Sequence, residues 1–177
     1  MVLSALKPLN SFMSKGLLRV SVVLSLALLI ACDQRPTCSF SEAADSAPSA
    51  GCMVLWEGKL LLIQGQGGGF SPPGGSVDSG ESAQCAAERE TWEETGIEVR
   101  VSGMVREFAN GFRLYSCEPV QTSPEVKISR PWEVHSADFY TPEQFIDLNW
   151  RFPDQGLLMA EMVRERRSLT IKGVPSE

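Results

Sequence analysis

Apolar and polar positions alternate in short runs over the middle of the chain. "CMVLW" (52–56) and "KLLLIQG" (59–65) flank Glu57-Gly58, the pattern of two strands joined by a tight turn. "GQGGGFSPPGG" (65–75) is too rich in glycine and proline to continue a strand and is expected to be a loop. The next segment, "SAQCAAERETWEET" (82–95), is helical, with Ser82 as N-cap and Gly96 as the stop. "IEVRVSGMVREF" and "FRLYSCEPV" are strand-like, with Asn110-Gly111 supplying turn chemistry between them. "WEVHSADFY" (132–140) is expected as another strand. A short helix opens at Thr141-Pro142, and "DQGLLMAEMVRERR" is expected as a terminal amphipathic helix. Strands mixed with two or three helices imply an α/β domain, helices packed on a mixed sheet, over residues 51–170.

The N-terminal pattern is different. Lys7, Lys15 and Arg19 precede the apolar run "VSVVLSLALLIA" (20–31), which is followed by Cys32. A run of twelve residues falls short of the roughly 20 that cross a bilayer and suits the core of a signal peptide, so 1–31 is set aside from the fold. The tetrapeptide Leu29-Ile30-Ala31-Cys32 resembles the lipobox of bacterial lipoproteins. That resemblance implies a lipidated Cys32, a membrane anchor and a periplasmic location. Asp33 is similar to the residue that retains such proteins at the inner membrane. The alternative is an ordinary secretory signal ending near a cysteine. Residues 33–50 are small and polar without apolar periodicity, as in a flexible tether, which would reach roughly 60 Å when extended.

Export changes the cysteine reading. Cys38, Cys52, Cys85 and Cys117 are an even number in a compartment where disulfides persist, and at least one disulfide is expected. Three pairings are open, and buried free thiols are the alternative. The cysteine spacing suits no zinc site. A formal net charge of -6 offers no basic face for nucleic acid. His135 is the single histidine, which rules out a two-histidine metalloprotease motif.

The candidate chemistry lies on the helix. On a wheel of about 100° per residue Glu90, Glu93 and Glu94 share one face with Ala83, Ala86 and Ala87, while Trp92 and Cys85 point away. Two like charges about 5 Å apart repel by on the order of 3 kcal/mol at an effective dielectric near 20. A hard divalent cation turns that repulsion into attraction, and carboxylate oxygen is what Mg²⁺ or Mn²⁺ prefers. A solvated acidic helix is the bland alternative.

Gly75, five residues, Glu81, seven residues, then Arg89-Glu90-Thr91-Trp92-Glu93-Glu94-Thr95-Gly96-Ile97 resembles the Nudix box, with Thr91 the one departure, at a position that is usually aliphatic. The resemblance implies a Nudix fold, an α/β/α sandwich around a mixed sheet. It also implies hydrolysis of a nucleoside diphosphate linked to another group, using Mg²⁺ or Mn²⁺. Gly75, Glu90, Glu93 and Glu94 would be the metal ligands, Arg89 would orient the glutamates, and Glu81 would be an outer partner. Family members differ in their base: some use a glutamate of the box, others one from a later loop, for which Glu133 is the candidate here. Phe70 and Tyr115 are weak candidates for substrate contact, against core packing. A small-molecule diphosphate is the expected partner; nucleotide sugars, dinucleotides and polyprenyl diphosphates suit an exported enzyme, and location alone recommends the last. The rivals are a Nudix-fold sensing module without catalysis and a calcium-stabilised structural lipoprotein.

Overall fold

The computed structural model describes residues 35–40 and 46–171, with side chains through Ser168. The expected signal peptide, Cys32 and Asp33 lie outside the described residues. Among the described residues no helix is long and apolar enough to cross a membrane.

β1 (Ser49–Trp56) and β2 (Lys59–Gly65) form the expected hairpin, registering Leu55 with Leu60 and Trp56 with Lys59. Glu57 and Gly58 both take positive φ, +48° and +72°, which a two-residue hairpin turn of this hand requires. The glycine-rich segment is not all loop: β3 (Phe70–Ser71) pairs with β2, and β4 (Gly74–Ser76) pairs antiparallel with the start of β1. Two- and three-residue strands are too short to show a period of two, so sequence pattern misses them.

The helix α1 (Ala83–Thr95) follows, capped as expected. The Ser82 hydroxyl accepts from the Cys85 amide at 3.1 Å, and Gly96, at φ +72°, donates to the Trp92 carbonyl at 2.8 Å. β5 (Val99–Glu107) and β6 (Phe112–Pro119) pair antiparallel, while β6 runs parallel to β1, so the sheet is mixed. β7 (Val134–Tyr140) pairs with β2 and starts two residues later than expected, leaving Trp132 and Glu133 in a turn. The short helix is a single 3₁₀ turn, Gln144–Asp147, and α2 (Gln155–Ile171) ends the described chain.

Period-two alternation along β1 divides the core. Ala50, Cys52 and Val54 pack with Ala83, Ala86 and Ala87 of α1, and Met53 faces the other way onto Leu114, Met159 and Val163. One helix thus covers each side of β1, the layering implied by the sequence. Two disulfides form, Cys52–Cys117 between neighbouring strands and Cys38–Cys85 from the N-terminal segment to α1. Within the segment expected as a flexible tether, 33–50, the second ties the described residues 35–40 to α1. Residues 35–40 lie against α1, and regular structure begins at Ser49, before the expected boundary at 51.

Candidate active site

The alanine face of α1 is the reason its glutamates are buried. Methyl side chains let the helix approach the sheet closely, and Glu88, Glu93 and Glu94 are carried in with it, at 6%, 2% and 8% exposure. The acidic face therefore looks into the protein, as the wheel implied.

Arg89 organises the first half of the site. Its Nε and Nη2 grip both oxygens of Glu81 at 2.8 and 2.9 Å. Nη1 donates to Glu90 at 2.8 Å and to Glu93 at 3.1 Å, and Nη2 also reaches the Ser76 carbonyl at 2.9 Å. Burial raises the Glu81 pKa, but the hydrogen bonds from Arg89 and the Asp78 amide outweigh it and leave that carboxyl below its usual range. The same bonds hold the Arg89 guanidinium charged well beyond its ordinary range.

The glutamates then divide. Glu94 accepts one backbone bond, from the Gly74 amide at 2.8 Å. Burial is the largest influence on it, the charges of Glu90 and Glu133 add to burial, and its pKa is pushed up to about 8. Glu90 is also raised, chiefly by burial, with Arg89 opposing. Its carboxyl lies directly on the Gly75 backbone: a Cβ at Gly75 would stand 2.5 Å from the carboxyl carbon. Only glycine fits there. Glu90, Glu94 and the Gly75–Gly74 backbone therefore form one cradle.

Glu93 is surrounded by arginines. Its Oε2 meets Arg130 at 2.7 Å and Arg89 at 3.1 Å, and its Oε1 meets Arg35 at 3.1 Å. Glu93, expected as a metal ligand, is thus the hub of an ion-pair network, and its buried Oε1 makes no aligned hydrogen bond. Among the described residues no three His, Cys, Asp or Glu side chains converge as a ready-made metal cage. Two carboxylates and a backbone carbonyl still suit Mg²⁺, which keeps several waters and takes one or two protein carboxylates alongside substrate phosphates. The raised pKa of Glu94 is the independent sign of fit, because its anionic form lacks a cation.

Glu133 stands in the turn before β7, ion-paired with Arg130 at 3.2 Å and close enough to Glu94 to raise its pKa. Half of its side chain is exposed, so it reaches water. The two weak substrate candidates are corrected. Tyr115 is 2% exposed and belongs to the buried cluster with Cys52 and Ala87. Phe70 packs its ring edge-on to Tyr140 at 5.5 Å. Neither lines the cavity of about 610 Å³ that opens beside Gly74 and Gly75 between Phe108, Phe112, Arg151 and Phe152.

Sequence reasoning missed Arg35, Arg130 and Arg151. Arg130 sits in the noticed "SRPWE", but no local spacing ties it to a glutamate 37 positions earlier.

The sequence model of the NUDIX domain matches residues 45–161, two thirds of the chain. The chain belongs to the NUDIX family. A MutT-like protein of Streptomyces ambofaciens is 32% identical over 91 residues, which are 48% of this chain and 59% of that protein. The chain thus spans less than two thirds of that relative's length. Two solved structures share the Nudix fold. A UDP-X diphosphatase superposes with a TM-score of 0.54 at 18% identity, covering 86% of this chain and 82% of that one. A C. elegans Ap4A hydrolase does so with a TM-score of 0.54 at 21% identity, covering 68% and 98%.

Proposed function

We propose that this Nudix protein is a divalent-metal-dependent pyrophosphohydrolase acting on a small-molecule diphosphate, exported and anchored to the periplasmic face of a bacterial membrane through Cys32. The observation that carries the enzymatic part is the Glu90–Glu94 cradle against Gly75, with Glu94 raised to about 8, opening beside a cavity large enough for a diphosphate's organic arm.

Glu90, Glu94 and the Gly75 carbonyl would hold Mg²⁺ or Mn²⁺. The metal supplies charge neutralisation on the diphosphate and a more acidic water. Arg89 keeps Glu90 against Gly75, and the Gly74 amide fixes Glu94. Arg151, at the cavity wall, offers a cation to phosphate oxygen. Glu133 would act as base: Arg130 occupies its Oε2, which would leave Oε1 to accept a proton from the attacking water. Water oxygen then bonds to phosphorus, the bridging P–O bond breaks, and the leaving phosphate takes up a proton.

The full-length chain, purified in detergent, is assayed with Mg²⁺ and with Mn²⁺ against dinucleotides, nucleotide sugars, nucleoside triphosphates and polyprenyl diphosphates, beside Glu94→Gln. Turnover lost in the variant supports the reading. Tight nucleotide binding without turnover would instead favour a sensing module. The anchor is tested separately, and identical processing and localisation of Cys32→Ala would refute it.

A further inference from the structure

Residues 35–40 are bound to the helix that carries the site. Cys38 is disulfide-bonded to Cys85. Ser39 donates its amide to Glu88 at 3.0 Å and its hydroxyl to the same carboxylate, and Glu88 accepts the Val101 amide of β5 at 2.9 Å. Arg35 reaches Glu93 at 3.1 Å. Cys85, Glu88 and Glu93 are spread along α1, and their partners Cys38, Ser39 and Arg35 fall within five residues, so the segment lies on the helix as a strap.

We propose that Arg35 is a positioning residue of the site, completing the chain Arg35–Glu93–Arg130–Glu133 that aims the candidate base. The proposal rests on the hydrolase reading above. Glu93 Oε2 is shared by Arg89 and Arg130, and Oε1 is buried without an aligned hydrogen bond, so the Arg35 ion pair is what holds that second oxygen and adds its restraint against rotation of the carboxylate. Rotation would pull Oε2 off Arg130, and Arg130 is also the cation that holds Glu133. A lone exposed arginine is a poor restraint, because a long side chain loses entropy on being fixed. The strap changes that by fixing the Arg35 backbone three residues from a disulfide. The Nudix box therefore extends in space to a residue 40 positions before Gly75, held there by a covalent bond.

The test uses the full chain with Arg35→Ala, Arg35→Lys and the double variant Cys38→Ser/Cys85→Ser. Loss of an outer-sphere support typically costs 10- to 100-fold, so kcat is expected to fall about tenfold in Arg35→Ala and in the double cysteine variant. KM should stay within about twofold, since the lost interaction belongs to the transition state, and Arg35→Lys should recover much of kcat. The second readout needs no turnover: the ¹⁵N side-chain resonance of Arg130, in chelator-treated protein, should move in Arg35→Ala and return in Arg35→Lys. An unchanged kcat or an unmoved Arg130 resonance in Arg35→Ala overturns the proposal. So does a kcat loss that lysine fails to restore and that tracks a lower melting temperature, which marks a merely structural strap. If the wild type turns over no diphosphate, the hydrolase reading falls, and the Arg130 resonance alone decides whether the network exists.

Discussion

Glu88 and Glu93 face one set of neighbours and Glu90 and Glu94 another, although all four leave α1 within two turns. Glu88 receives two backbone amides and a hydroxyl, and Glu93 receives three guanidiniums. Glu90 has Arg89, and Glu94 has a single amide; both carboxyls are raised by burial. Burial alone therefore does not distinguish a carboxylate that holds the fold from one that awaits a ligand. The partners do: a buried anion held by several donors or cations serves the scaffold, and one short of both is a place for a cation.

Glu94→Gln should break this contrast most sharply. Loss of a ligand worth several kcal/mol of charge stabilisation should lower turnover on the order of a thousandfold. Stability should move the opposite way. The unfolded chain releases the Glu94 proton near its ordinary value of 4.5, while the folded protein keeps it until about 8. As pH rises between those values the unfolded state binds fewer protons, so metal-free wild type loses stability, by up to about 5 kcal/mol from this group. Glutamine carries no such penalty. In chelator, Glu94→Gln should match wild type near pH 5 and melt higher at pH 8; parallel melting curves across that range would sink the idea.

Glu93→Gln should do the reverse. Removing the charge leaves Arg35, Arg89 and Arg130 short of an anion, and breaking a buried ion pair costs about 3–5 kcal/mol. Urea unfolding should show that loss at pH 8, the condition in which Glu94→Gln is stabilised. Equal behaviour of the two variants would erase the distinction drawn here. A smaller effect is expected at Gly75→Ala, whose methyl meets the Glu90 carboxyl at 2.5 Å and displaces it. Such overpacking costs about 1–3 kcal/mol. Turnover should fall with it, while Gly67→Ala, with nothing within 4 Å, leaves both unchanged.

The two regions were unequally legible in the sequence. The caps Ser82 and Gly96, the glutamate spacing and Arg89 are local, and local patterns carry through to the helix, its inward face and the Glu90–Gly75 contact. The arginine side of Glu93 is assembled from positions 35, 89 and 130, and nothing in a linear pattern marks Arg35 or Arg130 as neighbours of α1. The same holds for the disulfides, where parity predicted bonding but only the β1–β6 register and the strap chose the pairs. Tyr115 and Phe70 failed because a strand aromatic has two faces to choose from, and here packing claimed both rings.

The smallest expected effect concerns Thr91, the one position where the box departs from its usual residue. It is fully buried on the scaffold side, and its hydroxyl donates back to the Ala87 carbonyl at 2.7 Å. Thr91→Val keeps the shape and removes that bond. A back-bonded hydroxyl in a helix contributes little, since a net hydrogen bond is worth only about 0.5–1.5 kcal/mol and the valine methyl gains burial in exchange. Stability should shift by less than about 1 kcal/mol, with turnover unchanged. Together with the loss at Glu94→Gln three residues away, that indifference would separate the face of α1 that packs from the cradle that reacts. A large activity loss in Thr91→Val would instead mean that the hydroxyl sets the tilt of the helix and, through it, the aim of Glu90 and Glu94.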